Sequence, residues 1–236
     1  MKYAIMSDVH ANTFMLRMAL LDARATGAVR FVCLGDVTGY SEDARGAIGP
    51  VRENFDVALM GNHDLVCAGL APTEKDESLS YCNDVVQRGE LSKDERAWLA
   101  ACPYLHAEGD AAFAHGTFVK PEEFDYVLDS EAARMSFDAR EERFLFVGHV
   151  HEAKIWEREP GGQIKEICIP PTKEPFHVFD FTSKYGCRYI VNVGSIGRPR
   201  DGYAGYVLWD SDTSHLSFHR QSLHSSQIRL RNESSH

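Results

Sequence analysis

Lys2-Tyr3-Ala4-Ile5-Met6-Ser7-Asp8-Val9-His10 decides how the rest of the chain is read. Residues 2–6 have the apolar and aromatic content of a short strand. The chain then breaks into a hydroxyl, a carboxylate and an imidazole. Residues 13–26 carry apolar side chains at helical spacing (Phe14, Met18, Leu21, Ala25) and stop at Gly27, a common helix terminator. Further strands are predicted over 29–34 and 57–60. Short strands alternating with longer amphipathic stretches are the βαβ signature of a largely parallel sheet.

Outward from this unit, residues 65–103 turn polar and helix-prone, with Ser92 and Glu95 forming a capping box ahead of Trp98-Leu99. Helices lying over the strand ends are expected there. Strands follow over 104–107 and 111–114, about a Glu108-Gly109-Asp110 turn, then a helix over 131–140 and a strand over 144–147. Beyond His151, strand patterns occupy 154–158, 164–169, 176–181, 188–193, 203–209 and 216–220, suggesting a second, mostly antiparallel sheet. Residues 1–221 are expected to form one domain, and the Ser-rich 222–236 a mobile tail. No internal repeat suggests a solenoid.

With 44% apolar and 25% charged residues in 236, the chain has the composition of a folded globular protein. Asp8 interrupts the first apolar run too early for a signal peptide, and no run approaches the ~20 apolar residues of a membrane span. A cytoplasmic protein without membrane partners is expected. Six cysteines lack any C-x-x-C pairing and read as small, buried or half-buried thiols. A net charge of −10 disfavours binding to polymeric nucleic acid.

Five strand-like runs end in polar clusters: Ser7-Asp8-Val9-His10, Gly35-Asp36, Gly61-Asn62-His63-Asp64, His115-Gly116 and Gly148-His149-Val150-His151. Ligands bind at the carboxyl ends of strands in open α/β sheets, so five such ends can converge. Residues two apart on extended chain point to the same side, which lets Asp8 face one centre with His10, and His149 with His151. Carboxylate, amide and imidazole donors without thiolate suit Mn, Fe, Co, Ni or Zn. The seven donors Asp8, His10, Asp36, Asn62, His115, His149 and His151 are too many for one ion. Two ions need a bridging carboxylate, for which Asp36 is the candidate.

This succession of Asp-x-His, Gly-Asp, Gly-Asn-His-Asp, His-Gly and Gly-His-x-His resembles the calcineurin-like metallophosphoesterase superfamily. Residues 192–202, with Asn192-Val193-Gly194-Ser195-Ile196-Gly197, resemble a run of its small bacterial and archaeal phosphodiesterase-like branch, Val193 replacing the usual Pro. The resemblance implies an α/β fold, a four-layer αββα sandwich of two mixed sheets flanked by helices. It implies two divalent or mixed-valence ions, one held by Asp8, His10, Asp36 and His151, the other by Asp36, Asn62, His115 and His149. A hydroxide shared by the ions would attack a small phosphoester substrate. His63 would assist the leaving oxygen as a catalytic residue, with Asp64 orienting its ring. Asn62 and His63 would also contact substrate.

The Val37-Thr38-Gly39-Tyr40 stretch and Asp64 depart from the pattern of the superfamily's serine/threonine phosphatases, which speaks against a dedicated phosphoprotein phosphatase. A phosphodiesterase is expected first, with a phosphomonoesterase (nucleotidase or protein phosphatase) or a non-catalytic scaffold as the alternative. Arg198 and Arg200 are candidate contacts to a second phosphate; the alternative is a solvated pair bonded to Asp201 or Asp43. Tyr40 is a candidate wall that stacks a base. His106, His177, His215, His219, His224 and His236 show no partner pattern.

Overall fold

A computed structural model describes residues 1–41, 43–71 and 79–223. The expected tail falls, from residue 224 on, outside the described residues, with His224 and His236.

In chain order the elements are β1 (Lys2–Met6), α1 (Thr13–Ala25), β2 (Arg30–Cys33), α2 (Ala44–Asn54), β3 (Val57–Ala58), α3 (Asn62–Ala68), α4 (Leu79–Glu90), α5 (Lys93–Ala100), β4 (Leu105–Glu108), β5 (Ala111–Ala114), α6 (Ser130–Ala139), β6 (Phe144–Val147), β7 (Ala153–Arg158), β8 (Ile164–Cys168), β9 (Phe176–Thr182), β10 (Arg188–Val193), β11 (Tyr203–Asp210) and β12 (His215–Ser222). They form two mixed six-stranded sheets, ordered β3-β2-β1-β11-β12-β9 and β4-β5-β6-β10-β7-β8.

The layering follows from the two-residue period of a strand. In β1, Tyr3 and Ile5 point inward and join Val32, Leu34, Phe113, Phe146, Tyr189 and Trp209 between the sheets. Their neighbours Ala4 and Met6 point outward and pack with Leu16, Leu20, Ile48 and Val51 of α1 and α2. On the far side Ala112, Leu145 and Ile190 meet Ala133 and Phe137 of α6. Strands apolar on both faces therefore sit between layers, giving the four-layer αββα sandwich. Each buried Phe contributes about 1.5–3 kcal/mol.

Two expectations are corrected. The strands after His151 do not form their own antiparallel sheet: β7, β8 and β10 join β4–β6, while β9, β11 and β12 extend β1–β3. The burial of Tyr189, Ile190 and Val191 explains this for β10, since a strand buried on both faces needs a neighbour on each side; it pairs with β6 in parallel and β7 antiparallel. Second, the Gly-Asn-His-Asp run is not extended chain. Gly61 caps α3 and Asn62 opens it, so a helical turn separates the Asn62 and His63 side chains. Between β2 and β3 lies α2, in a stretch where Gly46, Gly49 and Pro50 weaken the helical pattern. Asp43 initiates it by accepting the Gly46 N–H at 2.9 Å.

Among the described residues no helix is long and apolar enough to cross a membrane.

Candidate metal centre

The ends of β1 and β2 continue side by side past the sheet. Asp8 donates its N–H to the Gly35 carbonyl at 3.1 Å, and His10 to that of Asp36 at 2.9 Å. Asp8, His10, Asp36, His149 and His151 all have positive φ, between 48° and 65°. The convergence expected from extended i, i+2 pairs is real, but left-handed turns produce it. Such conformations are costly outside glycine and persist only where the surroundings enforce them. At Asp8 the loop after β10 supplies the enforcement: Ser195 Oγ and the Gly197 N–H both donate to the Asp8 carbonyl at 2.9 Å.

The buried donors form two groups. Atoms of Asp8, His10, Asp36 and His151 lie within 4.8 Å of one another, as do atoms of Asp36, His115 and His149. Asp36 belongs to both. His151 Nε2 is 3.1 Å from Asp8 Oδ1 and 3.0 Å from His10 Nε2. His115 Nε2 is 3.3 Å from Asp36 Oδ2 and 3.1 Å from His149 Nδ1.

Second hydrogen bonds set the tautomers. His10, His115 and His151 each direct Nδ1 at a backbone carbonyl, of Thr38 at 3.0 Å, Leu34 at 3.0 Å and Arg198 at 2.9 Å respectively. Those nitrogens carry a proton, so in each neutral ring the Nε2 lone pair faces inward. Two lone pairs 3.0 Å apart, on His10 and His151, repel unless a proton or a cation lies between them. Asp8 Oδ1, Asp36 Oδ2 and Asn62 Oδ1 are also buried with no hydrogen-bond partner. Buried polar atoms are rarely left so, and these oxygens together with the inward nitrogens fit a pair of borderline divalent cations.

Charge follows the same geometry. Burial pushes His10 down to about 4 and His149 down to about 3. Burial also opposes ionisation of Asp8 and Asp36, but the surrounding imidazoles, led by His151 for Asp8 and His115 for Asp36, hold both below the usual carboxylate range. For His115, burial is outweighed by Asp36, which lifts it to about 9.

His63 Nε2 lies 4.0 Å from Asp36 Oδ2, at the edge of the donor groups. Its partner is not Asp64. His63 Nδ1 meets Asp84 Oδ2 of α4 at 2.6 Å. Asp64 is instead fully buried and accepts hydrogen bonds from Val37 N at 3.2 Å, Thr38 N at 3.0 Å, Thr38 Oγ1 at 2.8 Å and Gly61 N at 3.2 Å. It shapes the loop after Asp36 and the start of α3, and no oxygen remains to reach the ring. Burial pushes His63 down, but Asp36 and Asp84 outweigh it and raise it to about 9. Gln87, one turn on from Asp84, accepts the Gly39 N–H at 2.8 Å. Gly39 leaves room for the imidazole, since a Cβ there would lie 2.6 Å from His63 Nδ1. The signal missed in the sequence was a pair of polar residues, Asp84 and Gln87, at i, i+3 on the helix face that includes Leu91.

At the rim, the Arg198 guanidinium lies 3.7 Å above the Tyr40 ring centroid. Tyr40 also packs against His63 at 4.6 Å and His10 at 4.8 Å. The alternative partners of the arginines are otherwise engaged: Asp201 binds Arg220 at 2.7 Å, and Asp43 caps α2 and accepts from Thr13 Oγ1 at 3.0 Å. The phenol of Tyr126, a residue the sequence reading did not single out, is pushed up by burial against the opposing charge of Arg200. Tyr126 lies flat on His149, with centroids 3.9 Å apart and planes 16° apart.

Comparison with known proteins bears on the family and the fold. Residues 1–214 match the calcineurin-like phosphoesterase superfamily domain. An uncharacterized protein of Methanocaldococcus jannaschii is 26% identical over 219 residues, covering 88% of this chain and 82% of that protein. The crystal structure of a metallophosphoesterase from Sphaerobacter thermophilus superposes with a TM-score of 0.78 at 26% identity, over 99% of this chain and 95% of that one. A hypothetical protein from Pyrococcus horikoshii, with a TM-score of 0.66 at 18% identity over 99% and 93%, shares the fold.

Proposed function

We propose, from the premise that this chain belongs to the calcineurin-like phosphoesterase superfamily, that it hydrolyses small phosphodiesters, nucleotide esters included, in the cytoplasm. The observation that carries this reading is the single carboxylate, Asp36, shared by two donor groups whose inward oxygens lack other partners. Asp8, His10, Asp36 and His151 would hold one divalent ion, and Asp36, Asn62, His115 and His149 the other. The donor set admits Mn, Fe, Zn, Co or Ni. Such ions supply Lewis acidity, neutralising phosphate charge and lowering the pKa of water from 15.7 towards about 7.

The chain's own groups do the rest. His63, held by Asp84 through Nδ1, presents Nε2 towards the donor groups and delivers a proton to the departing oxygen. Asp64 keeps the Val37 and Thr38 backbone in the turn that aims Asp36. Arg198 on Tyr40 and Arg200 beside Tyr126 place two cations at the rim, where they attract the substrate anion.

A diester is favoured over a monoester on charge. A monoester dianion needs more cationic compensation than a diester monoanion, and this chain offers two exposed rim arginines against a net charge of −10. A cytoplasmic setting is supported by the free state of Cys33, Cys67, Cys102, Cys168 and Cys187.

The test compares kcat/KM for bis-para-nitrophenyl phosphate and para-nitrophenyl phosphate on manganese-loaded protein. The diester is expected to be the better substrate by at least about tenfold. Preference for the monoester makes the chain a phosphomonoesterase, and no turnover of either makes it a scaffold.

A further inference from the structure

The two tyrosines at the rim differ in what covers them. Tyr40 carries the Arg198 guanidinium at 3.7 Å and packs on His63 and His10, so a base can stack on it only by displacing those groups. Tyr126 is stacked on His149 on one side, is 41% exposed, and among the described residues meets no other ring or guanidinium face.

Its position is built by its neighbours. The Asp125 carbonyl accepts the Thr117 N–H at 3.0 Å, in a space that a Cβ on Gly116 would fill. Phe124 sits edge-on to His115 at 5.9 Å, and Val127 is 1% exposed in the core beside α6. Tyr126 is therefore suspended between anchored residues, flat against a donor imidazole. A planar group laid on its outer face would sit two stacking distances, about 7 Å, from the His149 ring, within the span between a nucleotide's base and its phosphate.

We propose that Tyr126 is a specificity-determining residue, a shelf on which the substrate's nucleobase stacks while its phosphate ester lies at the donor groups, so that the preferred substrates are nucleotidyl esters. The assignment rests on the phosphoesterase reading and adds to it which side of the site holds the base. Aromatic stacking suits this role because every base has a π-face, so the shelf selects nucleotides as a class rather than one base.

The experiment has two arms on manganese-loaded protein, with metal content measured for each variant. In the first, kcat/KM is compared for thymidine 5′-(para-nitrophenyl phosphate) and methyl para-nitrophenyl phosphate, which share a leaving group and differ in the base. Tyr126→Ala is expected to reduce the ratio of the two about ten- to hundredfold, and Tyr126→Phe to restore it to within about threefold of the parent. In the second, calorimetry compares adenosine 5′-monophosphate with ribose 5-phosphate. The parent is expected to bind the nucleotide at least about tenfold more tightly, and Tyr126→Ala to abolish the difference. An unchanged ratio in Tyr126→Ala, or equal affinities in the parent, overturns the shelf. If the parent shows the binding preference but hydrolyses no diester, the shelf stands and the diesterase reading fails.

Discussion

Asp36 and Glu157 are both carboxylates sealed from solvent, at 1% and 0% exposure, and the chain treats them in opposite ways. Glu157 lies on β7 opposite Tyr189, away from the donor groups. One oxygen accepts from Lys165 Nζ at 2.8 Å and Lys184 Nζ at 2.9 Å, the other from the Tyr189 hydroxyl at 3.2 Å. Asp36 accepts the His63 N–H at 2.9 Å through Oδ1, while Oδ2 has no hydrogen-bond partner and faces His115, His10 and His63. A carboxylate that only stabilises the fold is completed by its own chain. One left incomplete at the centre of six other donors is completed from outside, and the fold bears its desolvation until then.

The largest effect that would sharpen this contrast is expected for Asp36→Asn. Removing the shared donor should lower diester kcat/KM by about a thousandfold or more. Thermal unfolding of the metal-free variant should occur only modestly below that of the metal-free parent, because the imidazoles that hold the Asp36 carboxyl low lose their charge partner while a buried oxygen without a hydrogen-bond partner is also removed. A metal-free variant much less stable than the parent would make Asp36 a structural group like Glu157.

Next in size is Asp84→Asn. Asp84 touches no substrate in this account and acts by positioning His63, so its loss should appear where the leaving oxygen needs a proton. The rate on an alkyl ester should fall about ten- to hundredfold, with a much smaller change on a para-nitrophenyl ester. Equal losses on both would mean that Asp84 merely holds α4 in place.

Glu157→Gln should show the smallest effect and the reverse signature: full diester activity with stability reduced by about 1–2 kcal/mol, a modest amount because water screens the exposed Lys165 and Lys184. Burial works against ionisation of Glu157, but Lys165 and Lys184 outweigh it and hold its carboxyl below the ordinary value. Its contribution to stability is therefore complete above the unfolded value of about 4.3 and declines as pH falls through the lower folded one. Thermal unfolding of the parent should lose more stability than Glu157→Gln across that acid range; parallel curves would show that the lysines contribute nothing.

The same contrast explains what could be read in advance. Asp8, His10, Asp36, His115, His149 and His151 were legible because each follows a recognisable strand, and strand ends in such sheets share an edge. That all of these but His115 reach the centre through left-handed turns was not legible, since backbone conformation there depends on contacts from distant segments, such as those the loop after β10 makes to the Asp8 carbonyl. Asp84 and Tyr126 come from segments with no local motif and reach the site only through packing of α4 on α3 and of Asp125 on Gly116. The exchange of roles between Asp64 and Asp84 has the same origin: adjacency in sequence favoured Asp64, but the helical turn opening at Asn62 points it at the backbone instead. The late strands were found one by one, yet their division between two sheets depends on which faces are buried, and a strand apolar on both sides does not name its neighbours.

The most direct measurement is anomalous scattering from crystals grown with manganese. The account predicts two peaks about 3.5–4 Å apart with the Asp36 carboxylate between them, one beside Asp8, His10 and His151, the other beside Asn62, His115 and His149. A single peak, or ions bound elsewhere with Asp36 Oδ2 still uncoordinated, would contradict it.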